Sequence, residues 1–301
     1  GYWLFRTMGV AAPRVVHAKV TINGERVGVY ANVEYIDGRF TRSRFEDGKG
    51  NLYKEVWPTW NEMTGELTED LLLAGLRTNE DENPSVQKVL TFSDGMQGES
   101  GQRAEVLSSW MRIPYVARFI AVDRTIAADD GSFHYYCSEG GCANHNFYLY
   151  EEEKDDLLWL IPWDLDNAFV VLNDTFQTPA DQFLKVVYDW NDLSVTCAPH
   201  PGSTSWTPWQ MPAVCDPLFR TCAEHFNEDY KDAVQELLAG PFSDEVVNEM
   251  LTTWSAQIED TVAEVKALDP DQLSQSDWDW GVQDLKARIA ALRAIAASKA
   301  E

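Results

Sequence analysis

Two carboxylates separated by one residue are the sharpest chemical feature of the chain: Asp164 and Asp166, within Ile161-Pro162-Trp163-Asp164-Leu165-Asp166-Asn167-Ala168-Phe169. In an extended strand side chains alternate, so both point to one face. Held there they repel each other and need a cation or a shared proton. Hard oxygen ligands with a neighbouring amide, Asn146 or Asn167, suit Mg²⁺, Mn²⁺ or Ca²⁺. The competing structural role has one of the two capping the following turn while the other faces water. Asp129-Asp130-Gly131 is the second candidate. An Asp held where a helix gives way to a loop can serve as general base for a hydroxyl nucleophile if the fold brings it near Asp164 and Asp166. Asp-Gly is equally a common turn dipeptide. Lys54, between Tyr53 and Glu55 in an apolar strand pattern, is a cation that can steady a phosphate or snorkel to the surface.

Three blocks must position these groups. In the first, Val15 to Ile22 alternates apolar and polar residues, Asn23-Gly24 supplies a turn, and Val27 to Ile36 resumes a strand pattern. This predicts a hairpin, with a third strand at Asn51 to Trp57. Residues 62–101 are acidic and broken by Gly, Asn and Ser, and read as a surface segment with a helix or two. The second block starts near Arg103 with helical spacing, interrupted at Pro114, and runs into Asp129-Asp130-Gly131 and a loop carrying Cys137 and Cys142. Two strands follow, Asn146 to Tyr150 and Leu157 to Trp163, joined by a charged turn, Glu151 to Asp156. The third block is helical after a Trp/Pro-rich loop from Asp189 to Asp216. Ser243 reads as an N-cap for a stripe of Val247, Met250, Leu251, Trp254, Ile258, Val262 and Val265, expected to be core.

The 301 residues carry 24 Lys+Arg against 49 Asp+Glu, a net charge of −25 that repels DNA, RNA and anionic lipid. Nucleic acid is therefore not expected as a partner, and no apolar run is long enough to span a membrane. A hydrophobic fraction of 45% supplies a sizeable core. The five cysteines lie in loop-like surroundings, as in proteins of an oxidising compartment, and their odd number leaves one without a partner in the chain. The chain opens on Gly1-Tyr2-Trp3-Leu4-Phe5-Arg6, which reads as the middle of an amphipathic helix, so a fragment whose beginning has been cut away is expected.

The ordered set Gly28 to Asp37, Arg42-Ser43-Arg44-Phe45, Asn51-Leu52-Tyr53-Lys54, Asp130-Gly131, His145 to Tyr150 and Trp163-Asp164-Leu165-Asp166 resembles the CotH family of spore-coat-type protein kinases, atypical kinases related to the secretory-pathway kinases. The resemblance runs from about Val10 to about Phe242. It implies an α+β, kinase-like two-lobed fold: a β-rich lobe at 1–102, truncated at its start, a catalytic core at 103–242, and C-terminal helices at 243–301. It also implies ATP- and divalent-metal-dependent phosphorylation, with Mg²⁺ or Mn²⁺, of Ser or Thr in secreted or surface proteins. Carried over position by position, Asp130 matches the family's catalytic Asp and Asp164 its metal-binding Asp. Asp166 belongs to the same motif, Asn146 lies where a second metal ligand would help, and Lys54 with Glu34 match signatures suited to a nucleotide-positioning pair. Family members carry a basic segment upstream of the position of Gly1, an expected contributor to the nucleotide site. Residues 132–144 read as an insertion, which a Cys137–Cys142 disulfide would pin beside the site. A zinc site on Cys137, Cys142 and His145 is its rival but lacks an evident fourth ligand. Two other functions remain open: a non-catalytic metal-binding protein on the same fold, and a secreted carbohydrate-active protein using the Trp206-Thr207-Pro208-Trp209 loop.

Overall fold

The computed structural model describes residues 1–82, 84–128, 130–169, 190–201, 209–268 and 274–301. In chain order the elements are α1 (Tyr2–Thr7), β1 (Val15–Ile22), β2 (Glu25–Val33), α2 (Gly38–Arg44), β3 (Asn51–Lys54), α3 (Glu69–Gly75), α4 (Gln87–Gly95), α5 (Ser100–Trp110), α6 (Ile113–Thr125), β4 (Tyr135–Ser138), β5 (Gly141–Ala143), β6 (Phe147–Glu152), β7 (Leu157–Pro162), β8 (His200–Pro201), β9 (Trp209–Met211), α7 (Pro217–His225), α8 (Asn227–Ala239), α9 (Asp244–Leu268) and α10 (Gln275–Lys299). The architecture is α+β, with helices dominating and the strands in small antiparallel sheets.

The hairpin forms where its turn residues require it. Asn23 and Gly24 both take positive φ, 52° and 87°, the two-residue turn whose twist matches that of the strands it joins. β2 stops at Val33, because Asp37 leaves the strand to cap α2, accepting hydrogen bonds from the backbone N–H groups of Arg39 and Phe40. The third strand is present but belongs elsewhere. β1 and β2 form a sheet of their own, whereas β3 pairs with β6 in the order β3-β6-β7. One strand of the first block is thereby built into the sheet of the second.

β6 is buried on both faces. Phe147 and Leu149 enter the main core with Leu158 and Leu160, while Tyr148 and Tyr150 pack with Ile36, Phe40, Leu52 and Ile161. Its last two residues correct the predicted charged turn: Glu151 and Glu152 are strand residues, both buried. Glu151 accepts a hydrogen bond from the Tyr53 hydroxyl at 2.7 Å, and Glu152 accepts from the Trp159 indole at 3.1 Å. Buried carboxylates persist when such donors replace water.

α6, with Pro114 in its first turn where a missing N–H costs nothing, is buried along most of its length and contacts α1, α8 and α10. Two expectations about the core change. Residues 62–101 are not merely surface, since Val86, Val89, Phe92 and Met96 are buried in the main core. Their spacing of three and four is hidden by the Gln, Lys, Ser and Asp between them. The α9 stripe, in contrast, is only partly covered: Val247 and Leu251 are half-buried and Trp254 is 36% exposed, with β2 and α10 packed along the helix. Among the described residues no helix is long and apolar enough to cross a membrane.

Candidate functional site

Three chain segments leave the β3-β6-β7 sheet at one edge. Lys54 lies opposite Tyr148, and the next residue, Glu55, donates its N–H to the Phe147 carbonyl at 3.2 Å. Asn146 directly precedes β6, and its carbonyl accepts from the Trp163 N–H at 3.1 Å, so Asp164 emerges beside it. The backbone turns sharply at each exit, with φ of 56° at Glu55, 59° at Asn146 and 49° at Asp164. Asn and Asp are the non-glycine residues that best tolerate the left-handed region. Each such turn still costs about 1 kcal/mol or more, the kind of strain that folds retain at functional positions.

Asp130 joins this edge. The Asn146 Nδ2 donates to the Asp130 carbonyl at 2.8 Å and to its Oδ2 at 3.0 Å. The loop beyond α6 is also tied to the Asp164 turn, through the Phe169 N–H and the Ile126 carbonyl at 2.8 Å. Beneath it Asp123 and Arg124 form an ion pair, both nearly inaccessible. Arg124 also donates to the Ala128 carbonyl at 3.2 Å and stacks on Phe133 at 4.3 Å. A Cβ at Gly131 would lie 3.2 Å from Asp123 Oδ2, so the Asp130-Gly131 turn packs closely on this pair. Asp123 and Arg124 were not singled out from sequence; their signal is a charged dipeptide inside the apolar run Phe119 to Ile126. Asp129 lies outside the described residues.

The period-two argument for Asp164 and Asp166 does not hold, because β7 ends at Pro162. Asp164 is left-handed and Asp166 sits in a single 3₁₀ turn, Leu165–Asn167. They nevertheless share a field. Partial desolvation, then repulsion from Asp166 and Asp130, pushes the Asp164 carboxyl above the ordinary range, with Lys54 pulling the other way. Behind the turn stands α1: the amides of Asp164 and Leu165 face the Tyr2 hydroxyl, and a Cβ at Gly1 would lie 2.6 Å from Leu165 Cδ1.

The donor set fits a hard divalent cation in chemistry, being carboxylate oxygens and the amide oxygen of Asn146, whose N–H groups are directed at Asp130. Among the described residues no group of three or more His, Cys, Asp or Glu side chains is placed to hold a metal ion.

Glu34 does not join Lys54. It accepts from Arg14 at 2.6 Å and from Arg44 at 2.7 Å, and these partners outweigh partial burial to hold its carboxyl below the usual range. It follows β2 in the hairpin sheet, and Lys54 belongs to the other sheet. Lys54 makes no ion pair among the described residues. Near Glu34 a cleft of about 540 Å³, which sequence reasoning missed, is lined by Arg6, Arg44, Arg112, Phe45, Tyr115 and Trp159.

Residues 132–144 form the β4–β5 hairpin, closed at its base by the Asn144 amide on the Ser132 carbonyl at 2.7 Å. Cys137 and Cys142 are joined in a disulfide, which removes both sulfurs from the alternative zinc site. A second disulfide joins Cys197 and Cys215, and Cys222 is a buried thiol. Two disulfides are consistent with an oxidising, extracellular setting. Of the Trp206-Thr207-Pro208-Trp209 loop only Trp209 falls within the described residues.

No curated protein matches the chain. The family model described as CotH kinase protein matches residues 2–291. With that match covering nearly its whole length, the chain belongs to the CotH kinase protein family.

Proposed function

We propose that the chain is an ATP- and divalent-metal-dependent protein kinase that transfers the γ-phosphoryl group to Ser or Thr hydroxyls of extracytoplasmic proteins. Its organisation on this reading is kinase-like and two-lobed, with a β-rich lobe at 1–102, a catalytic core at 103–242 and supporting helices at 243–301. The observation that carries the reading is the hydrogen bond from Asn146 to Asp130 at the same edge where partial burial, and then like charge, push the Asp164 carboxyl up. Carboxylates gathered at one place have a use where a cation and a polyphosphate enter together.

Asp130 is the base. Its Oδ2, oriented by Asn146, accepts the hydroxyl proton as the acceptor oxygen attacks the γ-phosphorus and the bond to the β-phosphate oxygen breaks, leaving ADP. Asp164, with Asp166 and the Asn146 oxygen, would hold Mg²⁺ or Mn²⁺. The cation, when bound, supplies charge neutralisation across the phosphate oxygens. Lys54, whose charge opposes the rise at Asp164, steadies a phosphate. Glu34 acts through Arg44 and Arg14 rather than through Lys54.

The test is transfer of label from γ-labelled ATP to a Ser-rich acceptor with Mg²⁺ or Mn²⁺, beside Asp130→Ala and Asp164→Ala. Transfer by the parent, lost in both variants while the fold is kept, is the expected result. No transfer by the folded parent would favour a non-catalytic binding protein, and ATP-independent glycan cleavage would favour a sugar enzyme.

A further inference from the structure

Two buried charges beneath the site have no task in the transfer scheme. Asp123 and Arg124 are 2% and 3% exposed and pair with each other in the last turn of α6. Successive residues on a helix do not face each other, so the Arg124 side chain meets its partner by turning toward the end of the helix. There its Nη2 also donates to the Ala128 carbonyl at 3.2 Å, and its guanidinium lies over the Phe133 ring at 4.3 Å. Ala128 stands two residues before Asp130 and Phe133 three residues after it. One rigid fork therefore touches both limbs of the turn that carries Asp130. Phe133 is itself seated in the core, stacked on Phe219 at 3.9 Å and edge-on to Trp190 at 5.6 Å. A Cβ at Gly131 would lie 3.2 Å from Asp123 Oδ2 and 3.3 Å from the Ala128 carbonyl, so the backbone beyond Asp130 rests on the pair. From the other side the Asn146 amide holds the Asp130 carbonyl and Oδ2.

We propose that Arg124 is a positioning residue: its guanidinium, held by Asp123, fixes the turn that aims the Asp130 carboxylate at the acceptor hydroxyl. The inference rests on the kinase reading and names what sets the base in that site. Stability alone is a poor reason to keep such a pair, because apolar side chains of similar volume often serve a fold as well or better. What neither they nor a lysine can supply is a planar group that engages a carboxylate, a carbonyl and a ring face together. Asn146 fixes the carboxylate at its outer end, whereas Arg124 fixes the backbone beneath it. A general base works only within hydrogen-bond reach of the proton it takes, so a shift of about 1 Å in that backbone is enough to misplace it. Arg124 acts through Asp130, being itself too buried to touch ATP or the acceptor.

The experiment compares Arg124→Lys with the parent. Lysine can still neutralise Asp123 but has no fork for Ala128 and no plane for Phe133. The expected result is a melting midpoint close to the parent's, with kcat for transfer lowered about 30-fold and the KM for ATP changed less than about twofold. A second readout needs no transfer: the side-chain amide resonances of Asn146 in isotope-labelled protein, assigned with Asn146→Ser. They should move in Arg124→Lys, while those of Asn51, whose amide donates to the Ser85 carbonyl at 3.0 Å, stay in place. If the parent transfers no phosphoryl group the kinase reading falls, and the Asn146 signal alone then decides whether Arg124 sets the turn. The double variant Asp123→Leu with Arg124→Met, which removes both charges together, is expected to fold and to show the same loss of kcat and the same amide shift. A kcat equal to that of an active parent, or an unmoved Asn146 signal, in folded Arg124→Lys overturns the proposal. So does failure of both variants to fold, which would make the pair a condition of folding and not a device that aims Asp130.

Discussion

Two acidic regions of the chain solve the same electrostatic problem in opposite ways. Around Glu34 the carboxylate is matched by two guanidinium groups and held below the ordinary range. Around Asp164 partial burial, then the charges of Asp166, Asp130 and Glu55, push the carboxyl up, with Lys54 as the opposing charge. The first arrangement is complete within the chain and works as a structural fastening between the hairpin and α2. The second gathers like charges on backbone of positive φ at the end of the sheet, an arrangement that a bound cation would relieve on the proposed reading. A lone acidic motif does not distinguish the two; the partner inventory does.

The comparison can be broken first at its extremes. Asp164→Ala should lower phosphoryl transfer on the order of 10³-fold while leaving the circular dichroism spectrum and melting midpoint close to those of the parent. Loss of folding instead would mean that Asp164 is structural. Asp216 supplies a third type, a carboxylate that is fully buried and satisfied by uncharged donors: the Trp57 indole at 2.9 Å, the Thr59 hydroxyl at 2.6 Å, and the N–H groups of Leu218 and Phe219. Asp216→Ala removes the cap of α7 and orphans those donors, so denaturant titration should register a loss of about 3 kcal/mol. A change under 1 kcal/mol would show that the neighbours repack or hydrate.

Smaller effects sharpen the contrast. Glu34→Gln leaves two arginines without their shared charge, and the expected cost is about 1 kcal/mol in stability with transfer reduced no more than about threefold. A loss as deep as that of Asp164→Ala would restore Glu34 to the nucleotide site. The subtlest prediction concerns pH. Since the charge of Asp166 raises the Asp164 carboxyl, Asp166→Asn lets Asp164 stay ionised at lower pH. The acid limb of the pH–rate profile should therefore move down, provided the metal is saturating. A limb that moves up, or stays in place, would remove Asp166 from the field of Asp164.

What the sequence revealed of this site was local. Asn23-Gly24 declared a hairpin because a two-residue turn with positive φ needs those residue types. Pro114 and Ser243 placed helix starts for comparable reasons. The His145-Asn146 and Trp163-Asp164 stretches were recognisable together, and the structure brings Asn146, Asp164 and Asp130 to one edge. What was hidden depended on partners distant in the chain. β3 could have joined the hairpin on pattern alone, and its pairing with β6 is a contact across about a hundred residues. Glu34 looked available until Arg14 and Arg44 were seen around it. Glu151 and Glu152 read as a turn because carboxylates are rarely buried, and only Tyr53 and Trp159 explain why these are.

The central claim, that the Asp164 edge and not the Glu34 cluster is where a cation completes the charge balance, is tested most directly by Mn²⁺ electron paramagnetic resonance with ATP present. The account predicts that Mn²⁺ is bound by the parent, retained by Glu34→Gln and lost from Asp164→Ala. Undiminished Mn²⁺ binding by a folded Asp164→Ala protein would contradict it.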